Sequence, residues 1–335
     1  MSARGVYKKA VQNPEKHSGK MIISLDFELL WGVFDHATKE SYHCNISGGR
    51  QAIPEILALF ESYQIHASWG VVGLLLAENR QEAYNYAPTQ KPSYMNPALS
   101  AYETFSDLGD DEQDDPYHYA KSLVDRIRSC EHQEICSHTF AHYYCTAVGQ
   151  TTEQFKADLQ ASKSILFEKI SVSPISLILP RNQFKKEYAE IARQCGFRAI
   201  RGNQTLYCDN HRSILARGIR LLDSYVNITG NRCYSEEDIC NDGICNIMAS
   251  RFFRPYSHKL RCFEKLKIAR IKGQMRYAAK HNKVFHLWWH PHNFGKYPEQ
   301  CLSQLEEILK YYISLKQEFE FESLNMQELS NRIME

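Results

Sequence analysis

The chain has 335 residues, with 40 Lys and Arg against 39 Asp and Glu, so it is close to neutral at pH 7. That balance excludes a globally basic nucleic-acid binder and an acidic solvating chain. Hydrophobic residues at 43%, charged residues at 24%, and only 16 Gly and 11 Pro exclude a disordered or fibrous chain.

Met1 to Lys20 is a polar extension carrying Lys8, Lys9, Lys16 and Lys20 without an apolar core, unlike a secretory signal or a membrane anchor. The first strand is predicted over Met21 to Leu29 and the second over Ile65 to Leu75. The longest purely apolar stretch, Trp69 to Ala77, has nine residues and is too short for a transmembrane segment. Further strands are predicted at Gln133 to His138, Ile175 to Leu179, Arg198 to Arg201, Ile219 to Val226 and Lys283 to Trp289. Helical periodicity lies between them. It covers Gln51 to Tyr63, entered through the Ser47-Gly48-Gly49 turn, then Tyr117 to Cys130, Thr152 to Lys169, and Phe184 to Cys195, left through Gly196. A helix over Glu299 to Leu315, the segment Phe319-Glu320-Phe321 and a closing helix end the chain. Strands alternating with helices imply a parallel sheet, and seven such units favour a closed barrel over an open sheet. The expected fold is therefore one α/β barrel domain over residues 21–335, preceded by the extension 1–20.

Two stretches interrupt the rhythm. The insertion after the second strand, Ala77 to Pro116, is rich in Tyr, Pro and Asn and holds seven acids without a base between Glu103 and Asp115. Connections this long are usually lids, binding loops or disordered insertions. The basic helical insertion Arg251 to Lys283 carries eleven Lys and Arg and one acid, Glu264, a local charge of +10. A solvated helix face is its default reading, with a membrane-surface patch or a phosphate site as alternatives. Eleven Cys, with no C-x-x-C pair and no export signal, suggest reduced thiols in a cytoplasmic protein.

Chemistry concentrates at three places. His138 and His142 are four residues apart after a predicted strand, so on a helical turn both imidazoles would share a face and could hold one divalent ion. Asp26 and Glu28 alternate with Phe27 at the end of the first strand, which puts two carboxylates on one side of an apolar strand. Such carboxylates need a metal ion or paired arginines against them. The segment Trp288-Trp289-His290-Pro291-His292-Asn293 follows the last strand and places two more imidazoles beside aromatic side chains.

The spaced set Ser24-Leu25-Asp26, Ile65 to Gly73, Ser137-His138-Thr139-Phe140-Ala141-His142, Leu179-Pro180-Arg181-Asn182 and Leu287-Trp288-Trp289-His290-Pro291 resembles the polysaccharide deacetylases with a NodB-homology domain, the carbohydrate esterase 4-like family. The resemblance implies a (β/α)7 TIM-like barrel and a metal-dependent hydrolase that removes N-acyl groups, usually acetyl, from amino sugars. By that resemblance His138 and His142 are metal ligands, Asp26 is the catalytic base, His290 the catalytic acid and Arg181 the residue holding the base.

The family's first motif has two adjacent Asp where this chain has Asp26-Phe27. Glu28 is therefore the expected third ligand, with the roles of Asp26 and Glu28 open to exchange. His292 competes with His290 as the acid, and also counts with Asn182, Trp31, Trp288 and Trp289 as a substrate-binding candidate. Asp223, on the predicted sixth strand, is the candidate for orienting the acid. The third motif departs too, reading Pro180-Arg181-Asn182-Gln183, and the later Arg254-Pro255-Tyr256 falls too late in the order to replace it. Two imidazoles and one carboxylate accept one divalent ion, Zn first, with Co, Ni and Mn also compatible. The expected partner is an N-acetylated sugar of surface-polysaccharide synthesis, nucleotide- or lipid-diphosphate-linked if the basic stretch binds phosphate. Competing readings keep the fold but assign a non-sugar amide or formamide, or binding of carbohydrate without turnover.

Overall fold

A computed structural model describes residues 18–203, 214–241 and 243–335. Most of the N-terminal extension, residues 1–17, lies outside the described residues. Strand β1 (Lys20–Phe27) is buried along its whole length because it sits mid-sheet. It pairs in parallel with β9 (Val284–Trp289), with β2 (Ala67–Val71) from Ile23 onward, and at its start with β10 (Glu322–Leu324). The parallel order continues through β3 (Gln133–Ser137), β4 (Ser176–Ile178), β5 (Ala199–Arg201) and β7 (Ile244–Asn246), with β8 (Arg251–Phe252) beyond β9. The short strand β6 (Cys240–Asn241) forms an antiparallel hairpin with β7.

One segment joins the two ends of this curl. The N–H groups of Cys245 and Ile247 donate to Arg198 and Ile200 on one side, and those of Ser250 and Phe253 to His286 and Trp288 on the other. The expected α/β barrel is therefore observed, but its sixth strand is not Ile219 to Val226. That run belongs to helix α6 (Ile214–Asp223) and the turn after it, where Leu222 and Val226 are exposed. A short apolar run does not distinguish strand from helix. The true closing segment is split into the short strands β7 and β8, with Asn246 and Ser250 interrupting its apolar residues.

Helix α1 (Lys39–Ser62) starts at a capping box between Thr38 and Ser41, well before the expected Gly-rich turn. Gly48 and Gly49 lie inside it for a different reason. A Cβ on Gly49 would come within 2.5 Å of the His292 Cα, so these glycines let the turn after β9 rest directly on the helix. The remaining helices are α2 (Arg80–Tyr86), α3 (Lys121–Ser129), α4 (Thr152–Ile170), α5 (Lys186–Gln194), α7 (Glu264–Lys280), α8 (Pro298–Phe319) and α9 (Met326–Met334). The exit from α5 through Gly196, at φ +84°, is as expected. None of the described helices is long and apolar enough to cross a membrane.

The insertion after β2 folds back onto the barrel, burying Phe105 and Leu108. Its acids are tied down: Asp115 accepts from Lys39 at 2.9 Å and pairs with His118 at 2.8 Å, and Glu112 pairs with Arg50 at 2.6 Å. The basic stretch is not a free cationic face either. Lys272 pairs with Glu307 at 2.6 Å, Arg276 with Glu318 at 2.8 Å, Arg251 with Asp223 at 2.8 Å, and Lys267 with Glu264, while Lys267 and Arg270 are themselves buried. The expectation of eleven reduced thiols also fails. Cys240 and Cys245 stand directly opposite each other in the β6–β7 hairpin, with Cα atoms 4.1 Å apart, and form a disulfide.

Candidate metal centre and active site

The carboxyl ends of the strands hold the site, as the barrel architecture dictates. Glu28 follows β1, and its Oε2 lies 3.1 Å from Nε2 of both His138 and His142. His138 follows β3, and its Nδ1 donates to the Ile178 carbonyl at 2.9 Å, which leaves Nε2 of the neutral ring as a lone pair. A lone pair facing a carboxylate oxygen is repulsive unless positive charge lies between them. Protonation of His142 is a poor source of that charge, because burial pulls its pKa down against the opposing pull of Glu28. All three donors are buried and their ligand atoms lie within 4.8 Å of one another, so the set fits one divalent ion of the zinc type.

The two imidazoles do not converge through a helical turn, as the spacing suggested. Residues 138–142 form an irregular loop, with Thr139 at φ 64° and His142 at φ 53°. Left-handed backbone costs about 1–2 kcal/mol per residue for side chains of this kind, so it needs support. Asp158 on α4 provides it, accepting from the N–H of Phe140 at 2.7 Å and of Ala141 at 3.3 Å. Thr139 Oγ1 accepts from Tyr143 N at 2.9 Å, and Ser137 Oγ from Thr139 N at 3.1 Å. Burial pushes the Asp158 carboxyl up to about 7, with the two backbone bonds pulling against it.

Asp26 is 2% exposed and Arg201 0% exposed. The guanidinium holds the carboxylate by both oxygens, at 2.5 and 2.7 Å, donates to Ser24 Oγ at 3.0 Å and to Asn182 Oδ1 at 2.8 Å, and lies 4.5 Å from the Trp288 ring centre. Burial alone would raise the Asp26 pKa. Arg201, with smaller help from His138 and His290, reverses that and holds it below the usual value, so Asp26 is ionised at neutral pH. Arg181, expected in this role, pairs with Asp35 at 2.6 Å and lies over the Tyr144 ring at the pocket rim. The clue to Arg201 was a charge at the carboxyl end of a predicted strand.

His290 points Nε2 at Asp26 Oδ2 across 3.7 Å and at Glu28 Oε1 across 3.5 Å. Asn293 Nδ2 donates to its Nδ1 at 3.1 Å, which puts the proton of the neutral ring on the nitrogen facing the carboxylates. Asn293, not Asp223, is thus the group that orients this imidazole. Asp223 ends α6, where it pairs with Arg251 and accepts from the N–H groups of Ile228 and Thr229. His292 stacks on His290 with ring centres 4.9 Å apart, and burial drives its pKa down to about 3, so it stays neutral.

Asp26, Glu28, His142, Tyr42, Trp288 and His290 line a cavity of about 450 Å³, whose wall also includes Asn182 and His292. Trp31 and Trp289 do not reach it. Trp31 is buried under the insertion and donates to the His118 carbonyl at 2.8 Å, and Trp289 stacks on Phe294 in the core. Arg201, Asp158 and Asn293 are site residues that sequence reasoning missed.

A family model described as polysaccharide deacetylase matches residues 31–200, just over half of the chain, a span that contains His138, His142 and Arg181. No curated protein matches the chain. Among solved structures, the fold is similar to that of a Mycobacterium smegmatis protein assigned to the polysaccharide deacetylases. That match is 12% identical, with a TM-score of 0.61, covering 97% of this chain and 93% of the other. A GH57-type branching enzyme from Pyrococcus horikoshii is 11% identical, with a TM-score of 0.52, covering 93% of this chain and 70% of that one. At these identities the likeness concerns the fold, whereas the family model matches the sequence itself over the strands and loop that carry the paired imidazoles: the chain belongs to the polysaccharide deacetylase family.

Proposed function

We propose that this family member is a metal-dependent N-deacetylase that hydrolyses the acetamide of an amino-sugar unit. The observation that carries the reading is the convergence of Glu28, His138 and His142 on one point beside the Arg201-held Asp26 and the pocket-facing His290. Glu28, His138 and His142 would hold a divalent ion, zinc first, which would supply Lewis-acid polarisation of the acyl carbonyl and lower the pKa of the attacking water.

The protein's own groups handle the protons. Asp26 is ionised and locked in one orientation by the two-point contact with Arg201, so it is poised to take a proton from water. An amine leaves poorly unless protonated, and His290, whose Nε2 faces the cavity, would supply that proton as its imidazolium, with the Asn293 amide oxygen turned to accept from Nδ1–H. His292, neutral and stacked behind it, is the weaker candidate for that task. The half-buried Trp288 offers an apolar face for a sugar ring, held flat by the guanidinium behind it.

Metal analysis of the purified protein, combined with acetate release from N-acetylated sugars and their oligomers, tests this. One ion per chain is expected, and His138→Ala should lose both the ion and turnover while the far-ultraviolet circular dichroism is kept. Normal metal content in that variant, or no acetate release by the metal-replete protein, refutes the reading.

A further inference from the structure

The interior of a barrel of this kind is ordinarily filled by layers of apolar side chains. In this chain a row of polar side chains descends into it from Asp26. Ser24 and Asp26 share one face of β1, His286 and Trp288 share one face of the adjacent β9, and Arg201 reaches them from β5. Ser24, Arg201 and His286 are completely buried.

Every N–H of the Arg201 guanidinium has an acceptor. Nη1 donates to Asp26 Oδ1 at 2.5 Å and to Ser24 Oγ at 3.0 Å, Nη2 to Asp26 Oδ2 at 2.7 Å and to Asn182 Oδ1 at 2.8 Å, and Nε to Asn182 Oδ1 at 3.2 Å. An ionised Asp26 can only accept, but the Ser24 hydroxyl both donates and accepts. Where its proton lies decides whether Arg201 meets a lone pair or another donor.

His286 sets that proton. Its Nδ1 lies 3.2 Å from the Ile247 carbonyl, which can only accept, so the neutral ring carries its hydrogen there and keeps a lone pair on Nε2. Nε2 is 2.8 Å from Ser24 Oγ, so the hydroxyl donates to it and turns its own lone pairs to Arg201. Burial, with the Arg201 charge adding to it, drives the His286 pKa down to about 3, which keeps the ring neutral. The imidazole is anchored in turn on the segment that closes the barrel, where Ile247 takes its Nδ1–H and Ser250 Oγ accepts from its backbone N–H at 3.0 Å. A buried polar row destabilises a core unless each member is satisfied, and a satisfied one fixes the direction of every hydrogen bond in it.

We propose that His286 is a positioning residue for the reaction: resting on the deacetylase reading above, it acts through Ser24 to hold Arg201, and through Arg201 the base Asp26, in one orientation. It does not line the catalytic cavity, so it acts on the chemistry only through this relay.

Acetate release, metal content and urea unfolding of the full chain test this with His286→Leu, His286→Gln, Ser24→Ala and the Ser24→Ala/His286→Leu pair. His286→Leu should lower kcat about tenfold, the order of one buried hydrogen bond left unmet, with KM and bound metal unchanged. In the Ser24→Ala background the same substitution should cost less than about twofold, because the hydroxyl it acts through is gone. His286→Gln, whose side-chain oxygen can accept from Ser24, should restore most of kcat, whereas a residue that only filled the core would be better replaced by Leu. An equal loss from His286→Leu in both backgrounds overturns the proposal, as does a Leu variant more active than the Gln variant, or a change confined to KM or metal content. Unchanged kcat in Ser24→Ala overturns it even if His286→Leu does not fold. If wild type releases no acetate the deacetylase reading fails, and the unfolding data still decide the relay. Additive costs reject it, and a shortfall from additivity of about fivefold or more in the unfolding equilibrium constant supports it.

Discussion

Replacing Arg201 by Met should unmask the charge of Asp26. The wild-type pair is almost fully buried and makes two charge-assisted hydrogen bonds, at 2.5 and 2.7 Å. Removing one partner of such a pair costs about 3–5 kcal/mol, because the other charge is stranded. The loss should depend on pH in a definite direction. In wild type the folded-state pKa of Asp26 is lowered, so its contribution is complete above the unfolded value of about 3.9 and is lost only as pH falls through the folded value. In Arg201→Met, burial without the cation raises the carboxyl above its unfolded value. The folded variant then retains a proton that the unfolded chain has shed, and its stability falls as pH rises above about 4, by at most about 1.4 kcal/mol per unit. Urea unfolding of both proteins at pH 5 and 7, with chelator present so that metal loss does not contribute, should give a larger difference at pH 7. Asp26→Asn in the Arg201→Met background should restore much of the loss, since removing both charges leaves neither stranded. A difference below about 1 kcal/mol at pH 7, or one equal at both pH values, would refute the account of Arg201 as the partner that keeps Asp26 ionised.

Asp26→Asn alone should keep the bound ion and lose turnover, whereas Glu28→Gln should weaken metal affinity; metal content and acetate release measured side by side would show the opposite pattern if the two carboxylates exchange roles. Asp158→Asn should destabilise the fold by about 1–3 kcal/mol, because the new amide N–H₂ must face a backbone N–H at the 139–142 loop, and metal affinity should fall with it, as titration with zinc would report. Gly49→Ala should cost about 1–3 kcal/mol by overpacking and lower kcat more than metal content, since the displaced atoms belong to the turn bearing His290.

What the sequence disclosed was local. His138 and His142 stand close together along the chain, and Asp26 with Glu28 sit at the end of a strand whose apolar run is unambiguous. Arg201 was harder because its partner lies across the barrel interior, on a strand far away in the order, and its mark in the sequence is no more than a charge at the end of a short predicted strand. Arg181 took its place because order along the chain stood in for proximity in space. Asp223 was misplaced together with its strand, since Leu221, Leu222 and Val226 form a surface apolar run that belongs to a helix and its exit. Trp31 looked available for a sugar because it neighbours Glu28 in sequence, yet the insertion after β2 closes over it through the His118 carbonyl.

The contact between α1 and the turn after β9 makes the position of His290 a matter of stiffness. Where Gly48 and Gly49 meet residues 292 and 295, backbone touches backbone, with no side chain between them to deform. A helix advances about 1.5 Å per residue, so a slide of even a fraction of one step is comparable with the tolerance for placing His290, 3.7 Å from Asp26, against the leaving amine. The same helix is wedged on its inner side by Phe60, whose ring packs against Trp289, the residue just before His290. Substitutions at Phe60, Ile56 or Ile53, remote from any reacting atom, should therefore displace the imidazole as a rigid body. The barrel's core acts here as the gauge that sets the proton-transfer distance.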